Sequence, residues 1–313
     1  MINRDLIRTK IVQLTYAYYV NGNDDMTNAE KELLFSLSKA YDLYLFLLNF
    51  VVLVRDEAEN QWLVNNNRTQ REENKSISRN FIDNKFVLQL KKNAKLNELI
   101  EHKKANWDEN IDIVRQVLAL IEQTQKYADY MSLEHPSYED DREIWRFIYK
   151  NIICTNDELD DAIEEQSLYW NDDKYVVDTF VQKTIRRFEE ENGEKQELLE
   201  EYRNEDDKRF AIELFRNAID NCEEYRRYIA EASLNWDISR LSTMDIILLQ
   251  IAIAEMLNFP EIAVHVTINE YIELAKVYST PKSAGYINGI LDTIARKLNE
   301  NGMMFKPVGN RKK

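Results

Sequence analysis

The chain has 313 residues and a formal net charge of −15. Its 6 glycines and 4 prolines make up about 3% of the residues, against about 12% in average proteins. Folds built from tight turns, β-hairpins or glycine-rich phosphate loops need more of both residues. The composition therefore argues against all-β and dinucleotide-binding folds and predicts an all-α protein with long helices. The negative total also argues against binding nucleic acid by charge alone.

No metal, cofactor or membrane site is indicated. Two cysteines and three histidines are too few and too scattered for a zinc module. The N-terminus lacks a basic segment followed by an apolar run, so no signal peptide is predicted. The most apolar run, residues 43–54, is shorter than the roughly 20 residues of a membrane span. We expect a buried helix there and a cytoplasmic protein with reduced thiols.

Helical periodicity extends along almost the whole chain. The first helix should cover about residues 3–20 and end at Asn21-Gly22. Thr27 and Glu30 then form a predicted capping box for a long second helix that ends near Asn65. Residues 68–80 are expected to form a basic loop. Further helices are predicted with interruptions over 83–131 and then, after His135-Pro136, at 139–153, 156–168, 173–191 and 194–232.

An internal similarity appears at an offset of 66 residues. Residues 141–170 and 207–236 share nine identities in thirty positions, among them Trp170 with Trp236. Two interpretations stay open. The segments are either a duplicated helical module or two amphipathic helix pairs of similar composition.

The charge is unevenly distributed along the chain. Residues 156–207 hold 19 acidic and 6 basic side chains, a net charge of −13. Residues 276–313 carry a net charge of +6, and residues 64–104 carry +5. Basic surfaces can therefore exist that the total conceals.

The best-defined helices lie near the C-terminus. Ser242 to Asp245 form a predicted capping box before an apolar, central helix that ends at Phe259-Pro260. Thr280-Pro281 should begin the last helix. Gly285 and Gly289 lie inside that helix, where they are expected to let a neighbour approach closely. The expected buried positions of the last two helices are Val264, Ile268, Ile272, Ala275, Ile287, Leu291, Ile294 and Leu298.

These residues carry a resemblance to a known family. The segment INEYIELAKVYSTPKSAGYINGILD, residues 268–292, resembles the signature of the NusB transcription antitermination factors. Upstream, residues 236–241 and the apolar helix that includes Glu255 also fit the family pattern. In the first helix, Arg8, Gln13 and Tyr16 match the family's R-x-x-x-x-Q-x-x-Y.

The resemblance implies an all-α fold of NusB-like helical bundles with a large additional helical region. Residues 1–20 and 204–300 would form the RNA-binding domain, residues 21–203 the additional region, and residues 301–313 a basic tail. The implied function is transcription antitermination. Such a protein binds the boxA element of ribosomal RNA transcripts together with the ribosomal protein NusE and joins a complex on RNA polymerase.

The chemistry of several residues suits such a site. Arg4 and Arg8 share a helix face and could both contact phosphate, while Tyr16 and Tyr286 offer rings for base stacking. Lys282 lies at a helix N-terminus, which itself favours phosphate. The resemblance adds other positions to these. It assigns Gln13, Ser283 and Asn288 to RNA, and Asp245 and Glu255 to the protein partner.

The sequence also departs from the family. Gln250 stands where the family has an arginine, and residues 21–203 have no counterpart. An enzyme is not expected, because no nucleotide-binding, metalloprotease or hydrolase motif is present. A NusB-like domain also occurs in RNA cytosine methyltransferases, but this chain has no room for their cofactor-binding domain. The remaining alternative is a helical scaffold that binds basic ribosomal or transcription proteins with little RNA specificity.

Overall fold

A computed structural model describes residues 1–22, 25–69, 78–103, 110–170, 172–202, 204–233 and 241–304. The chain divides into two compact units. Unit 1 comprises Met1 and Ser38–Glu201, and unit 2 comprises Ile2–Leu37 and Tyr202–Lys313. Over these described ranges there is no β-strand, and one parallel bridge joins Ile2 to Tyr202. The predicted all-α class is confirmed.

The helices follow the 3.6-residue periodicity of the sequence. In the described ranges they are α1 (Arg4–Val20), α2 (Met26–Thr69), α3 (Lys85–Lys91), α4 (Ala94–Lys103), α5 (Ile111–Glu122), α6 (Gln125–Met131), α7 (Tyr138–Ile148), α8 (Asp157–Gln166), α9 (Lys174–Arg187), α10 (Glu205–Asp220), α11 (Cys222–Ala232), α12 (Thr243–Asn258), α13 (Val264–Tyr278) and α14 (Ser283–Glu300). A π-helical turn, Tyr149–Ile153, continues α7.

The apolar run of residues 43–54 is part of the core of unit 1. Asn49 and Leu53 are half-buried, and the other side chains of the run are buried. The helix from Met26 to Asn65 is long and apolar enough for a membrane span, but 72% of its most apolar window is buried inside the protein. The expected buried helix is therefore confirmed.

The start of α2 differs from the expectation. Asp25 is the capping residue, because its Oδ1 accepts a hydrogen bond from the backbone N–H of Asn28 at 3.1 Å. The capping box at Thr27 and Glu30 is wrong, since both residues lie inside the helix. Glu30 instead accepts two hydrogen bonds from Arg216. The helix also continues past Asn65 to Thr69, and most of the predicted loop at 68–80 lies outside the described residues.

The single helix predicted over 194–232 is also wrong. Residues 196–200 have no helical structure, and Leu198 and Leu199 are buried within unit 1 from this non-helical segment. The backbone N–H of Leu199 donates to the Tyr44 hydroxyl at 3.2 Å. Asn204 then caps α10, and a further break at Asn221 separates α10 from α11.

Helix α12 is the centre of unit 2 and packs against α1, α10, α11, α13 and α14. Its predicted capping box is present, with Ser242 and Asp245 as the reciprocal partners. Every residue from Ile247 to Met256 is buried. A helix buried on all faces cannot show an amphipathic pattern, and this explains its continuous apolar sequence.

The flanking helices confirm most of the expected core. In α13, however, Ile272 is half-buried, whereas Tyr271 is completely buried. Helix α14 begins at Ser283, two residues after Pro281. The expected close approach at Gly285 is wrong, because a Cβ placed there would meet nothing within 4 Å.

Both segments of the internal similarity are helix pairs. One consists of α7 with its π turn followed by α8, and the other of α10 followed by α11. Asn151 and Asn217, which are equivalent in the alignment, each donate to the carbonyl four residues earlier at 2.8 Å. A helix pair is common to both interpretations, so duplication stays a prediction.

Candidate nucleic-acid interface

Arg8 and Glu255 form a buried ion pair in unit 2. The Arg8 Nε donates to Glu255 Oε2 at 2.7 Å, and Nη2 donates to Oε1 at 3.0 Å. Their side chains are 3% and 0% exposed. Thr267 and Tyr271 also donate to the same carboxylate, at 2.7 Å and 3.3 Å. Burial opposes the charge of Arg8, but the hydrogen bonds and the charge of Glu255 raise its pKa overall.

This geometry corrects two site predictions. The guanidinium of Arg8 is enclosed and already satisfied, so it cannot reach a phosphate in this structure. Glu255 is equally inaccessible to a protein partner. Together they join α1 to α12, while Thr267 and Tyr271 bring α13 to the same point.

Asp245 and Ser283 are also internal, each 1% exposed. Asp245 accepts from the backbone N–H of Ser242 at 2.9 Å and from the Ser279 hydroxyl at 2.7 Å. The hydroxyl oxygens of Ser279 and Ser283 are 3.0 Å apart. These bonds connect the start of α12 to the turn between α13 and α14. Asp245 as a partner contact and Ser283 as an RNA contact are corrected accordingly.

Arg4 lies at the edge of the same helix face. Its guanidinium carbon is 4.8 Å from the centre of the Phe210 ring, and its nitrogens are 3.5 Å from both Asp207 and Glu261. Its side chain is 32% exposed. A phosphate contact by Arg4 stays a prediction. An RNA phosphate would compete with the two carboxylates for the Arg4 guanidinium.

The other predicted RNA residues are accessible. Tyr16 is 40% exposed, Lys282 is exposed, and Tyr286 and Asn288 are half-buried. Gln13 Nε2 donates to the hydroxyl of Tyr278 at 2.9 Å, and this bond joins α1 to the last residue of α13. We name Gln13, Tyr16, Tyr278, Lys282 and Tyr286 the aromatic-basic surface.

The sequence pattern missed Tyr278. A tyrosine in the last turn of a helix is most often a packing residue, and no spacing rule links position 278 to position 13. For Glu255 a signal was present, because a carboxylate inside an apolar helix requires a buried donor. That signal does not identify which of the many cations supplies it. Trp236 and Arg240, which belong to the upstream motif, lie outside the described residues.

Within the described part of the chain, no group of three histidine, cysteine or carboxylate side chains could hold a metal ion. Both Cys154 and Cys222 are free thiols. Burial raises the pKa of the Cys154 thiol to about 12.

Known proteins resemble the C-terminal part of this chain. A sequence model of the NusB family matches residues 173–296. The transcription antitermination protein NusB of Natranaerobius thermophilus is 50% identical over 80 residues, which cover 26% of this chain and 58% of that protein. The protein of the same name from Salinibacter ruber is 39% identical over 97 residues, 31% of this chain and 61% of that protein. No solved structure matches the chain significantly.

These two alignments span about three fifths of the relatives' lengths, and most of unit 1 lies outside the family match. The family match begins at residue 173, upstream of the predicted domain start at 204, and so includes α9. The transcription antitermination protein NusB of Thermodesulfovibrio yellowstonii is 39% identical over 127 residues, 41% of this chain and 80% of that protein. Because the match extends over four fifths of a relative, this chain belongs to the NusB family.

Proposed function

We propose that the protein is a cytoplasmic transcription antitermination factor that binds boxA-type RNA of ribosomal RNA transcripts. It would do so together with the ribosomal protein NusE, within a complex on RNA polymerase, and without catalysis of its own. The observation that carries the proposal is the aromatic-basic surface. Tyr16 is exposed on α1, the Gln13–Tyr278 bond joins α1 to the end of α13, and Lys282 is exposed at the start of α14.

The chemistry of this surface suits single-stranded RNA. Tyr16 can present a ring face to an unpaired base, and stacking of this kind contributes about 1–3 kcal/mol per base. Lys282 is the N-cap residue of α14, so its ammonium group and the helix dipole both attract a phosphate there. Gly285, in the first turn of α14, has open space around the position of a Cβ, which lets a nucleotide approach the helix backbone.

The buried polar groups position this surface. The Arg8–Glu255 pair holds α1 on α12, and the Asp245–Ser279 bond holds the turn before α14. The Gln13–Tyr278 bond then sets the first helix beside that turn. In this proposal, Arg8, Asp245, Glu255 and Ser283 act on RNA affinity only by supporting the surface.

A second candidate is a scaffold that binds basic ribosomal or transcription proteins with little RNA specificity. It is favoured by unit 1, which spans Ser38–Glu201 and contains most of the acidic segment 156–207. Acidic side chains in the first turns of α8 and α10 are exposed to solvent, among them Glu158 and Glu205.

Fluorescence anisotropy with a labelled boxA-type RNA distinguishes the antitermination factor from the scaffold. We expect binding that NusE strengthens and that salt weakens. Tyr16→Ala and Tyr286→Ala should each weaken it by roughly 5- to 100-fold, which corresponds to about 1–3 kcal/mol of lost stacking.

Tyr175→Ala is the matched control, because Tyr175 is a tyrosine 83% exposed on α9 and belongs to unit 1, whereas the aromatic-basic surface belongs to unit 2. It should leave the affinity unchanged. Binding that ignores the RNA sequence, or no binding even with NusE present, would contradict antitermination and leave the scaffold.

A further inference from the structure

Unit 1 contains a cleft of about 380 Å³ between α6, α7 and α9. Four of its lining residues are basic, one is acidic and one is aromatic. They are Lys126, Arg146, Lys150, Arg186, Glu143 and Phe147. A chain with a net charge of −15 thus concentrates a net positive charge in one concave surface. Such a surface focuses the electrostatic field on an anionic ligand.

Two rows of polar side chains face each other across this cleft. Arg146 and Lys150 are four residues apart on α7 and its π turn, and Gln182 and Arg186 are four residues apart on α9. Residues at this spacing lie on the same side of a helix. Because α7 packs directly on α9, the cations of both rows point into one space.

Few carboxylates compete for these cations. Glu143 forms an ion pair with Arg146, and both side chains are 41% exposed. Hydrogen bonds from Ser137 and the charge of Lys126 lower the pKa of Asp140, so Lys126 is partly compensated. Lys150 and Arg186 are exposed, and no ion pair involves them among the described residues.

The helices that carry the rows are held firmly. On its opposite side, α7 buries Ile144, Trp145 and Ile148 in the core. The Arg142 Nη1 donates to the carbonyl of Phe188 at 2.8 Å and so fixes α7 to the end of α9. Gln182 Nε2 lies 3.6 Å from the sulfur of Cys154, which follows the π-helical turn. The charges are therefore presented by a preorganised surface.

We propose that this cleft binds the sugar-phosphate backbone of single-stranded RNA. Exposed lysine and arginine side chains suit phosphates. Phe147 is half-buried in the lining and adds an aromatic surface on which a base can stack, and Gln182 adds an amide. This favours RNA over an acidic peptide, because an acidic peptide has no base to stack. The site belongs to unit 1 and is separate from the aromatic-basic surface of unit 2. It goes beyond boxA recognition, because a backbone contact does not read the RNA sequence.

The test uses the full chain and a labelled oligouridine of about 20 nucleotides, in a salt titration. The variant Arg146→Gln/Lys150→Gln/Arg186→Gln should lower affinity by on the order of 10- to 100-fold at 0.1 M salt, with a salt slope smaller by about 2, since each lost phosphate contact removes about 0.7 from it. Lys85→Gln/Lys92→Gln/Lys95→Gln is the matched control, because it removes three exposed charges elsewhere in unit 1. This control variant should change the affinity and the salt slope much less.

A gain-of-affinity variant guards against misfolding of the triple variant. Glu143→Gln removes the carboxylate of the lining and releases Arg146, so oligouridine should bind more tightly. The proposal is overturned if Glu143→Gln has no effect, if both triple variants lose the same affinity, or if polyglutamate displaces oligouridine from the wild type at equal charge concentration. The last result would assign the cleft to an acidic protein. Loss of boxA selectivity with intact oligouridine binding would refute the proposed function and leave this site standing.

Discussion

At the scale of single residues, unit 2 depends on a charge network with little access to water. Moving a carboxylate and a guanidinium out of water is costly, and only good geometry and further hydrogen bonds offset that cost. Glu255 has both, through two bonds from Arg8 and one each from Thr267 and Tyr271. The network therefore specifies how three helices meet, whatever its net contribution to stability.

Arg8→Met tests that assignment. It leaves the Glu255 carboxylate buried without its cation, so we expect the free energy of unfolding to fall by about 3–5 kcal/mol. The double variant Arg8→Met/Glu255→Leu should lose less than the two single changes combined, because it removes both charges. Urea denaturation of the four proteins measures this. A stable Arg8→Met protein with reduced RNA affinity would instead restore Arg8 to the RNA contacts.

Residue roles were only partly predictable from the sequence. The helical face shared by Arg4 and Arg8 was identified correctly, and both guanidinium groups lie near the Phe210 ring. Which way that face points was not predictable, since Arg8 and Glu255 are 247 positions apart. Local spacing carries no information about such a distant partner.

At the scale of elements, the last helix, α14, contains an exposed glycine that lowers its stability. Gly285 lies in the first turn of α14 and is exposed. Glycine in a helix costs about 0.5–1 kcal/mol relative to alanine because it loses more backbone freedom on folding. The packing of unit 2 does not require this glycine, since nothing lies within 4 Å of a Cβ there.

Gly285→Ala should therefore raise the free energy of unfolding by about 0.5–1 kcal/mol. RNA affinity should fall at the same time, because the added methyl group lies between Lys282 and Tyr286 on the proposed surface. Denaturation and anisotropy of the same preparation measure both effects.

Gly302→Ala provides the comparison. Gly302 follows the end of α14 at φ +68°, a conformation that is strained for alanine, so this change should destabilise the protein. RNA affinity unaffected by Gly285→Ala would place the RNA away from this turn.

Element boundaries followed local chemistry where a cap was strong. The Ser242–Asp245 box and the Asn21-Gly22 stop are where the sequence predicted them. The prediction of one helix over 194–232 failed, because Leu198 and Leu199 resemble helical core positions but are buried by non-helical chain in unit 1. Tertiary burial outweighs local propensity in such a segment.

At the scale of the whole molecule, burial of tyrosine hydroxyls in both units links stability to alkaline pH. Burial raises the pKa of Tyr44 to about 12, although hydrogen bonds with Thr184 and Leu199 lower it. Burial also raises the pKa of Tyr127 to about 12, and that of Tyr271 is well above its usual value for the same reason. The unfolded chain titrates these groups near pH 10.

A raised folded-state pKa means that the unfolded chain loses protons first as the pH rises. The contribution of these tyrosines to the free energy of unfolding should thus be fully present below about pH 10. It should decline above that pH, by about 1 kcal/mol per buried tyrosine at pH 11. Urea denaturation between pH 8 and pH 11 measures the decline. Tyr44→Phe should be less stable at pH 8, because it loses its hydrogen bonds, but should show a flatter decline. An equally steep decline in Tyr44→Phe would contradict this origin.

The charge of a surface also depends on the folded arrangement and not on the order of residues along the chain. Counting along the chain separates an acidic segment from basic ones, yet Arg186 belongs to the acidic segment 156–207 and lines the basic cleft. Helices interleave residues with different surroundings every three or four positions, so a net charge over fifty residues does not describe any one surface.

By itself, the sequence determined the helical class, the Ser242–Asp245 cap of α12 and the family motif, because glycine content, periodicity and side-chain capping are properties of neighbouring residues. Only the tertiary structure decided which charges are available. It enclosed Arg8, Asp245, Glu255 and Ser283, left Tyr16 and Lys282 accessible, and brought Arg146 and Arg186 to one cleft. The physical reason is that desolvation depends on every element packed around a group, and those elements come from distant parts of the chain.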